Sequence, residues 1–142
     1  MEDYRLEPRP FYISDDNSVW LFKGSSTARN GAPIVAKRHE FLLLRDKDQF
    51  SKRLNEALNV GLAQARVDHP HSCKLLEIRL DISGAPEQYF VYHILEALKS
   101  NVWQEVEQRK KRPNPCSELE MWDFLEQTTS ALSFAHDKVT DI

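Results

Sequence analysis

A single lysine ends one of the apolar runs of the chain. Lys37 follows Ile34-Val35-Ala36, and β-branched residues of this kind favour a strand. A lysine in this position either lies at a solvated strand end or presents its ammonium group to a ligand. The residue types alone leave both interpretations open, so the elements around Lys37 have to decide between them.

The composition limits the kinds of protein that the chain can be. Its 142 residues suffice for one ordinary domain or a piece of a larger one. The net charge of −3 argues against a nucleic-acid partner, and the apolar runs are far shorter than the ~20 residues of a membrane span. Cys73 and Cys116 are too few for a disulfide framework or a zinc site, and the acidic start is no secretory signal. We therefore expect a cytoplasmic protein, with the nucleus as the alternative.

The first part of the chain is predicted to form a sheet. Residues 1–10 are polar, carry two prolines and are predicted to be an extended lead-in. A three-stranded meander follows, with turn residues at Ser14-Asp15-Asp16-Asn17 and a hairpin signal at Asn30-Gly31. Its predicted strands are Phe11–Ile13, Ser18–Lys23 and Ile34–His39.

A helix and two more strands are predicted next. Residues 47–66 carry apolar side chains at spacings of three and four, which is typical of a helix with one buried face. That face is predicted to consist of Phe50, Leu54, Leu58, Leu62 and Ala65. The strands 73–80 and 89–98 are predicted to pair across the turn at Ser83-Gly84, which gives five strands with a helix after the third.

The remainder is predicted to be helical. A short polar helix spans 101–111, and its cations at 109–112 suit a solvated helix end better than a nucleic-acid patch. Ser117 and Glu120 form a capping box for a long helix from Glu118 to about His136. One wide apolar face of this helix is formed by Met121, Trp122, Leu125, Thr128, Leu132 and Ala135.

This order of elements resembles the amino-terminal lobe of a eukaryotic-type Ser/Thr protein kinase. The amino-acid sequence of its motifs most resembles that of ciliate-type kinases. The run Ile34-Val35-Ala36-Lys37 resembles the Val-Ala-Ile-Lys motif of the third kinase strand. Three further stretches resemble the junction after helix C, the hinge and the helix that leads to the catalytic loop. They are 69–76, Ile94-Leu95-Glu96-Ala97-Leu98 and 117–138.

The resemblance implies an α+β, protein-kinase-like fold that is truncated. A five-stranded antiparallel sheet with helix C would be followed by two helices of the large lobe. The implied domains are a lead-in at 1–10, the small lobe with hinge at 11–98 and the start of the large lobe at 99–142.

The resemblance also implies an ATP site. Lys37 would pair with the α- and β-phosphates, and Val19 and Val35 would pack on the adenine. Leu95 would be the gatekeeper. The backbone of Glu96 and Leu98 would bond the adenine edge.

Several positions depart from the kinase pattern. The three glycine positions before Val19 hold Tyr12, Ser14 and Asn17. Glycine lets the backbone approach the phosphates closely, so its absence should weaken the contact of this loop with the phosphates. Val60 stands where the partner glutamate of Lys37 is expected, and Glu56 lies one helical turn earlier. Glu56 is either a solvated residue or a substitute for that glutamate.

The catalytic motifs of the kinase family are missing from the sequence. It contains neither a His-Arg-Asp nor an Asp-Phe-Gly motif, so we expect no phosphoryl transfer from this chain alone and no catalytic or metal-binding residue in it. Two functions remain open. One is a fragment of an ATP-dependent Ser/Thr kinase, which would use magnesium only in a full-length form. The other is a pseudokinase-like lobe whose Met121/Trp122/Leu125/Leu132 face binds a protein partner.

Overall fold

The protein is an α+β protein, described here by a computed structural model that covers residues 3–42, 47–84, 88–99, 102–113 and 116–140. Its elements are β1 (Tyr4–Leu6), β2 (Tyr12–Ile13), β3 (Val19–Ser26), β4 (Ala32–Leu42), α1 (Lys47–Ala65), β5 (Leu75–Asp81), β6 (Gln88–Glu96), α2 (Val102–Arg109) and α3 (Glu118–Thr140). They fall into two compact units. The first unit is Met1–Ala65 with Lys74–Ala97, and the second is Arg66–Cys73 with Leu98–Ile142.

The first unit contains one antiparallel sheet with the strand order β1-β3-β4-β6-β5, and β2 also pairs with β3. The predicted meander is confirmed as β2-β3-β4, and the predicted β5–β6 pair is confirmed. The sheet nevertheless has six strands where five were predicted. The additional strand is β1, inside the stretch predicted as an extended lead-in, where Tyr4 pairs with Ser26 and Leu6 with Gly24.

The hairpin between β3 and β4 turns where the sequence predicts it. Asn30 has φ 55° and Gly31 has φ 77°, so both residues lie in the left-handed region that asparagine and glycine tolerate. The backbone N–H of Gly31 donates to the carbonyl of Ser26 at 2.8 Å and closes the turn. The turn predicted after Ser83 runs into residues 85–87, which lie outside the described residues.

Helix α1 covers one face of the sheet, but with a different set of residues from the predicted one. Phe50, Leu54 and Leu58 pack with Ala57 against the sheet, as the spacing predicts. Leu62 is 55 % exposed, so its predicted place on the buried face is wrong. Residues four apart advance by 400° on a helix of 3.6 residues per turn, so the predicted stripe rotates away from the sheet. Gly61 takes the contact instead.

Gly61 brings α1 unusually close to the sheet. A Cβ atom at this position would lie 2.6 Å from Ile78 Cδ1 and 3.0 Å from His93 Nε2. A side chain would therefore push the helix away from β5 and β6, and the absence of one sets the depth at which α1 packs.

The opposite face of the sheet has its own core. Phe22, Ile34, Ala36, Tyr92 and Ile94 are buried together there. Next to them the guanidinium of Arg38 lies 4.6 Å from the ring centre of Trp20 and 4.5 Å from that of Phe90. The cation is thus stacked between aromatic faces, which attract it electrostatically.

The two edge strands of the sheet contact each other because the sheet is curled. Tyr4 Oη on β1 donates to Glu77 Oε2 on β5 at 2.6 Å. Arg79, also on β5, bonds Glu77 at 2.7 Å and Asp3 at 2.5 Å. We call these four residues the edge clasp, because they join β1 to β5 across the curl.

The second unit contains the loop after α1 together with α2 and α3. His69 in the loop bonds Ser130 Oγ at 3.1 Å, and its ring contacts the ring of Phe134 on α3 at a tilt of 43°. The predicted capping box is confirmed. Glu120 N donates to Ser117 Oγ at 3.2 Å, and Ser117 N donates to Glu120 Oε2 at 3.0 Å.

Candidate functional site

Lys37 lies in the middle of the sheet rather than at a strand end. Strand β4 runs on to Leu42 and is flanked by β3 and β6. The cross-strand partners of Lys37 are Leu21 on β3 and His93 on β6. Side chains alternate along a strand, so Lys37 shares the face of Phe41, which packs against α1. The lysine is half-buried on this face, and we call its surroundings the Lys37 face.

The predicted apolar residues lie around Lys37 on the same face. Val35 and Leu95 are directly paired neighbours on β4 and β6. Val19 is two residues from Leu21, the β3 partner of Lys37, and so it also shares this side. Along the strands, Val19 lies on one side of Lys37 and Val35 lies on the other. The structure therefore brings four of the predicted site residues, Val19, Val35, Lys37 and Leu95, onto one face of the sheet.

Two histidines that the sequence reasoning did not single out lie beside Lys37. His39 follows Lys37 by two residues on β4, and its ring centre lies 4.8 Å from that of His93. His93 is 1 % exposed, and its Nε2 bonds the carbonyl oxygen of Ala57 on α1 at 3.0 Å. A carbonyl only accepts, so Nε2 of His93 carries the proton. The alternation of β4 was the available signal, because it puts His39 on the side of Lys37.

Both histidines are held neutral, which leaves the lysine as the positive charge of the group. Burial, then the neighbouring His93 and Lys37, lowers the pKa of His39 to about 4. Burial also lowers the pKa of His93, with Lys37 acting in the same direction and the bond to Ala57 opposing both. The Nε2 atom of His39 is buried without a hydrogen-bond partner among the described residues.

Glu56 is exposed on α1, next to Ala57, which packs on the sheet. Within the described ranges no ion pair joins Glu56 to Lys37. Val60, one turn later, is 55 % exposed as well. Glu56 and Val60 are therefore turned to solvent, whereas Gly61 of the same helix lies close to Ile78 and His93 of the sheet.

The two predicted hinge residues differ in their surroundings. Glu96 is the last residue of β6 and pairs with Ile34 of β4. Its side chain is therefore on the opposite face of the sheet from that of Lys37. Its backbone N–H donates to the Lys74 carbonyl at 3.0 Å, and its carboxylate accepts from Lys74 N at 2.9 Å. This reciprocal pair fixes the end of β6 against the chain that enters β5. Leu98 belongs to the second unit and is 63 % exposed.

Neither a metal-binding cluster nor a membrane-spanning helix is found in the part of the chain that the structure describes. There, no group of three His, Cys, Asp or Glu side chains is arranged to hold a metal ion. No described helix combines the length and the apolar character that crossing a bilayer requires.

The chain was compared with protein-family models and with curated proteins. No protein-family model matches the chain, and no curated protein matches it. The function therefore has to be proposed from the geometry of the Lys37 face.

Proposed function

We propose that the first unit binds ATP in the manner of a Ser/Thr protein-kinase small lobe. One observation carries the proposal: Lys37 projects from the centre of an antiparallel sheet with Val19, Val35 and Leu95 on the same face. A lone ammonium group suits phosphate oxygens, and the valines and the leucine suit a flat apolar ring. The groups that bind magnesium and accept the proton in a kinase are absent from the sequence, so the proposal concerns binding.

The order of elements supports the same proposal. From β2 onward, the strands, the helix after β4 and the return through β5 and β6 follow the order of elements in a kinase small lobe. The helix covers the face on which Lys37 lies. The lowered pKa values leave His39 and His93 neutral at pH 7, and among the described residues no carboxylate forms an ion pair with Lys37, so its positive charge favours an anionic ligand.

Titration of the protein with ATP tests the proposal directly. We expect Lys37→Met to weaken ATP binding by about tenfold or more, because a hydrogen-bonded charge contact is worth roughly 1.5–3 kcal/mol. Lys52→Met is the matched control, since it removes one exposed lysine of α1 and changes the net charge equally. Binding that is equal in both variants would show that the site is misassigned. Failure of the unaltered protein to bind ATP would refute the function.

A second candidate function is favoured by the exposed face of α3. Met121, Trp122, Leu125 and Leu132 are between 48 % and 62 % exposed. An apolar stripe of this size on a helix is typical of a surface that another protein covers. We propose as the alternative that the chain is a non-catalytic, pseudokinase-like module that binds a protein partner there.

The two candidates respond differently to substitutions on α3. Leu125→Glu should abolish capture of a protein partner and leave ATP binding unchanged. Gln127→Glu is the matched control, because Gln127 is exposed and lies on the side of the helix away from the stripe. Partner capture that survives Leu125→Glu would exclude this face as the binding surface.

A further inference from the structure

Strand β1 lies between β3, with which it pairs, and β5, to which the edge clasp joins it. On the β3 side, Tyr4–Leu6 pairs with Gly24–Ser26. On the β5 side, the guanidinium of Arg79 also lies 5.1 Å from the ring centre of Tyr4. The side chains of Tyr4 and Leu6 pack against the buried core of this face. Departure of β1 would therefore expose core residues and strand edges to water, which is unfavourable unless a similar segment takes its place. We call the space that β1 fills the β1 groove.

The β1 groove is selective for the segment that fills it. A Cβ atom on Gly24 would lie 2.5 Å from the carbonyl oxygen of Arg5 and 2.9 Å from Leu6 Cδ2. The backbone of β1 thus comes closer to β3 than a side chain on β3 would allow. The edge clasp adds an acidic side chain and a tyrosine hydroxyl to these requirements. The groove therefore fits an extended segment with an acid, a tyrosine and a leucine at the positions of Asp3, Tyr4 and Leu6.

The chain between β1 and β2 is folded back on itself, and we call residues 7–10 the hinge. Glu7 N donates to the Lys23 carbonyl at 2.8 Å, and Phe11 N donates to the Leu21 carbonyl at 2.9 Å. The two acceptors are two residues apart on β3, which corresponds to about 7 Å, whereas four residues of extended hinge would span about 13 Å. The hinge contains two prolines, and the residue before a proline favours an extended backbone. Straightening of the hinge would carry β1 away from its own β3.

We propose that β1 exchanges between two copies of this chain, so that each copy fills the β1 groove of the other in a symmetric dimer. The occupant is a second copy because only the same segment restores the contacts of Asp3, Tyr4 and Leu6. These contacts are identical in the closed monomer and in the dimer. A straight hinge favours the dimer, and the loss of freedom on association opposes it. Exchange requires neither a nucleotide nor the Lys37 face.

Disulfide trapping between two versions of the full chain tests the exchange. Arg5 and Ser25 are directly paired, and such pairs lie about 4.5–5.5 Å apart, within reach of a disulfide. One version carries Arg5→Cys, and the other carries Ser25→Cys and a size tag. Cys73 and Cys116 are replaced by serine in both versions. The control replaces Ser25→Cys by Ser51→Cys, which lies at an exposed position of α1.

The two versions are mixed while unfolded in urea, refolded together and then oxidised, so that a slow opening of β1 does not limit exchange. We expect a disulfide-linked heterodimer, because neither version can form the bond within its own chain. Its fraction should rise about tenfold with a tenfold rise in protein concentration while most of the protein is monomeric. A heterodimer yield no higher than that of the Ser51→Cys control at every concentration would overturn the exchange.

The hinge is tested in the same assay by a combined Pro8→Ala and Pro10→Ala variant. Alanine removes the restriction on the preceding residues, so the hinge folds back more readily and the closed monomer is favoured. We expect the heterodimer yield to fall by about fivefold or more, because each proline shifts a compatible backbone equilibrium by about two- to fivefold. Pro70→Ala, which removes an exposed proline of the second unit, should leave the yield unchanged. An equal yield with and without the hinge prolines would refute the hinge as the cause of exchange.

Discussion

Acidification should destabilise the first unit through the buried histidine pair. His39 packs against His93 with Lys37 on the same face, and His93 bonds the Ala57 carbonyl on α1. A proton on His39 would introduce a second cation beside Lys37 in a partly buried setting. The unfolded chain has no such penalty, so it binds the proton more readily.

The size and sign of this effect follow from the pKa of His39. Its folded value, about 4, lies below the ordinary value of 6.5. The stabilising contribution is therefore complete above pH 6.5 and is lost as the pH falls from 6.5 towards 4. Linkage over these values gives a loss of about 2 kcal/mol by pH 5. His39 is only half-buried, so solvent screening reduces the expected loss to about 1 kcal/mol. The lowered pKa of His93 acts in the same direction.

Urea unfolding monitored by circular dichroism between pH 7.5 and pH 5, at constant ionic strength, measures the loss. His39→Leu should flatten the pH dependence by about half or more. His71→Gln should leave it unchanged, because His71 is exposed in the second unit. A free energy of unfolding that falls equally in the unaltered protein and in His39→Leu would refute the reasoning.

Two further substitutions test how the helices are held. Gly61→Ala should lower the free energy of unfolding by about 1 kcal/mol, because overpacking against Ile78 and His93 exceeds the gain in helix propensity. The control Asn59→Ala, at an exposed position of the same helix, should not destabilise the protein. A Gly61→Ala variant that is more stable than the unaltered protein would contradict the close approach of α1 to the sheet. Ser117→Ala should cost about 1 kcal/mol through loss of the α3 cap. Thermal denaturation followed by circular dichroism measures this, and Ser117→Asp, which keeps an acceptor, should retain most of the stability if the cap is the cause.

The elements with strong local signals are those that the sequence reasoning predicted well. The Asn30-Gly31 turn and the Ser117/Glu120 cap depend on contacts within a few residues, so their chemistry is readable in the chain. The place of Lys37 on the face of Val35 follows from simple alternation in β4.

Features that depend on contacts between residues distant in the sequence could not be predicted from local patterns. Strand β1 has three residues between charged and proline-containing segments, and only its pairing with Ser26 and Gly24 makes it a strand. The buried side of α1 near its end is decided by Gly61, whose contact with Ile78 needs the sheet to be known first. The pairing of His39 with His93 likewise joins residues that are far apart in sequence.

The edge clasp has a consequence for folding kinetics. Tyr4 and Glu77 are separated by 73 positions, and Asp3 and Arg79 by 76. Closing so long a loop costs more chain entropy than forming the local hairpins, so the curl of the sheet should close after β3-β4 and β5-β6 have paired. Until then the outer edges of β1 and β5 remain open to other chains. Aggregation during refolding should therefore depend on the clasp more strongly than equilibrium stability does.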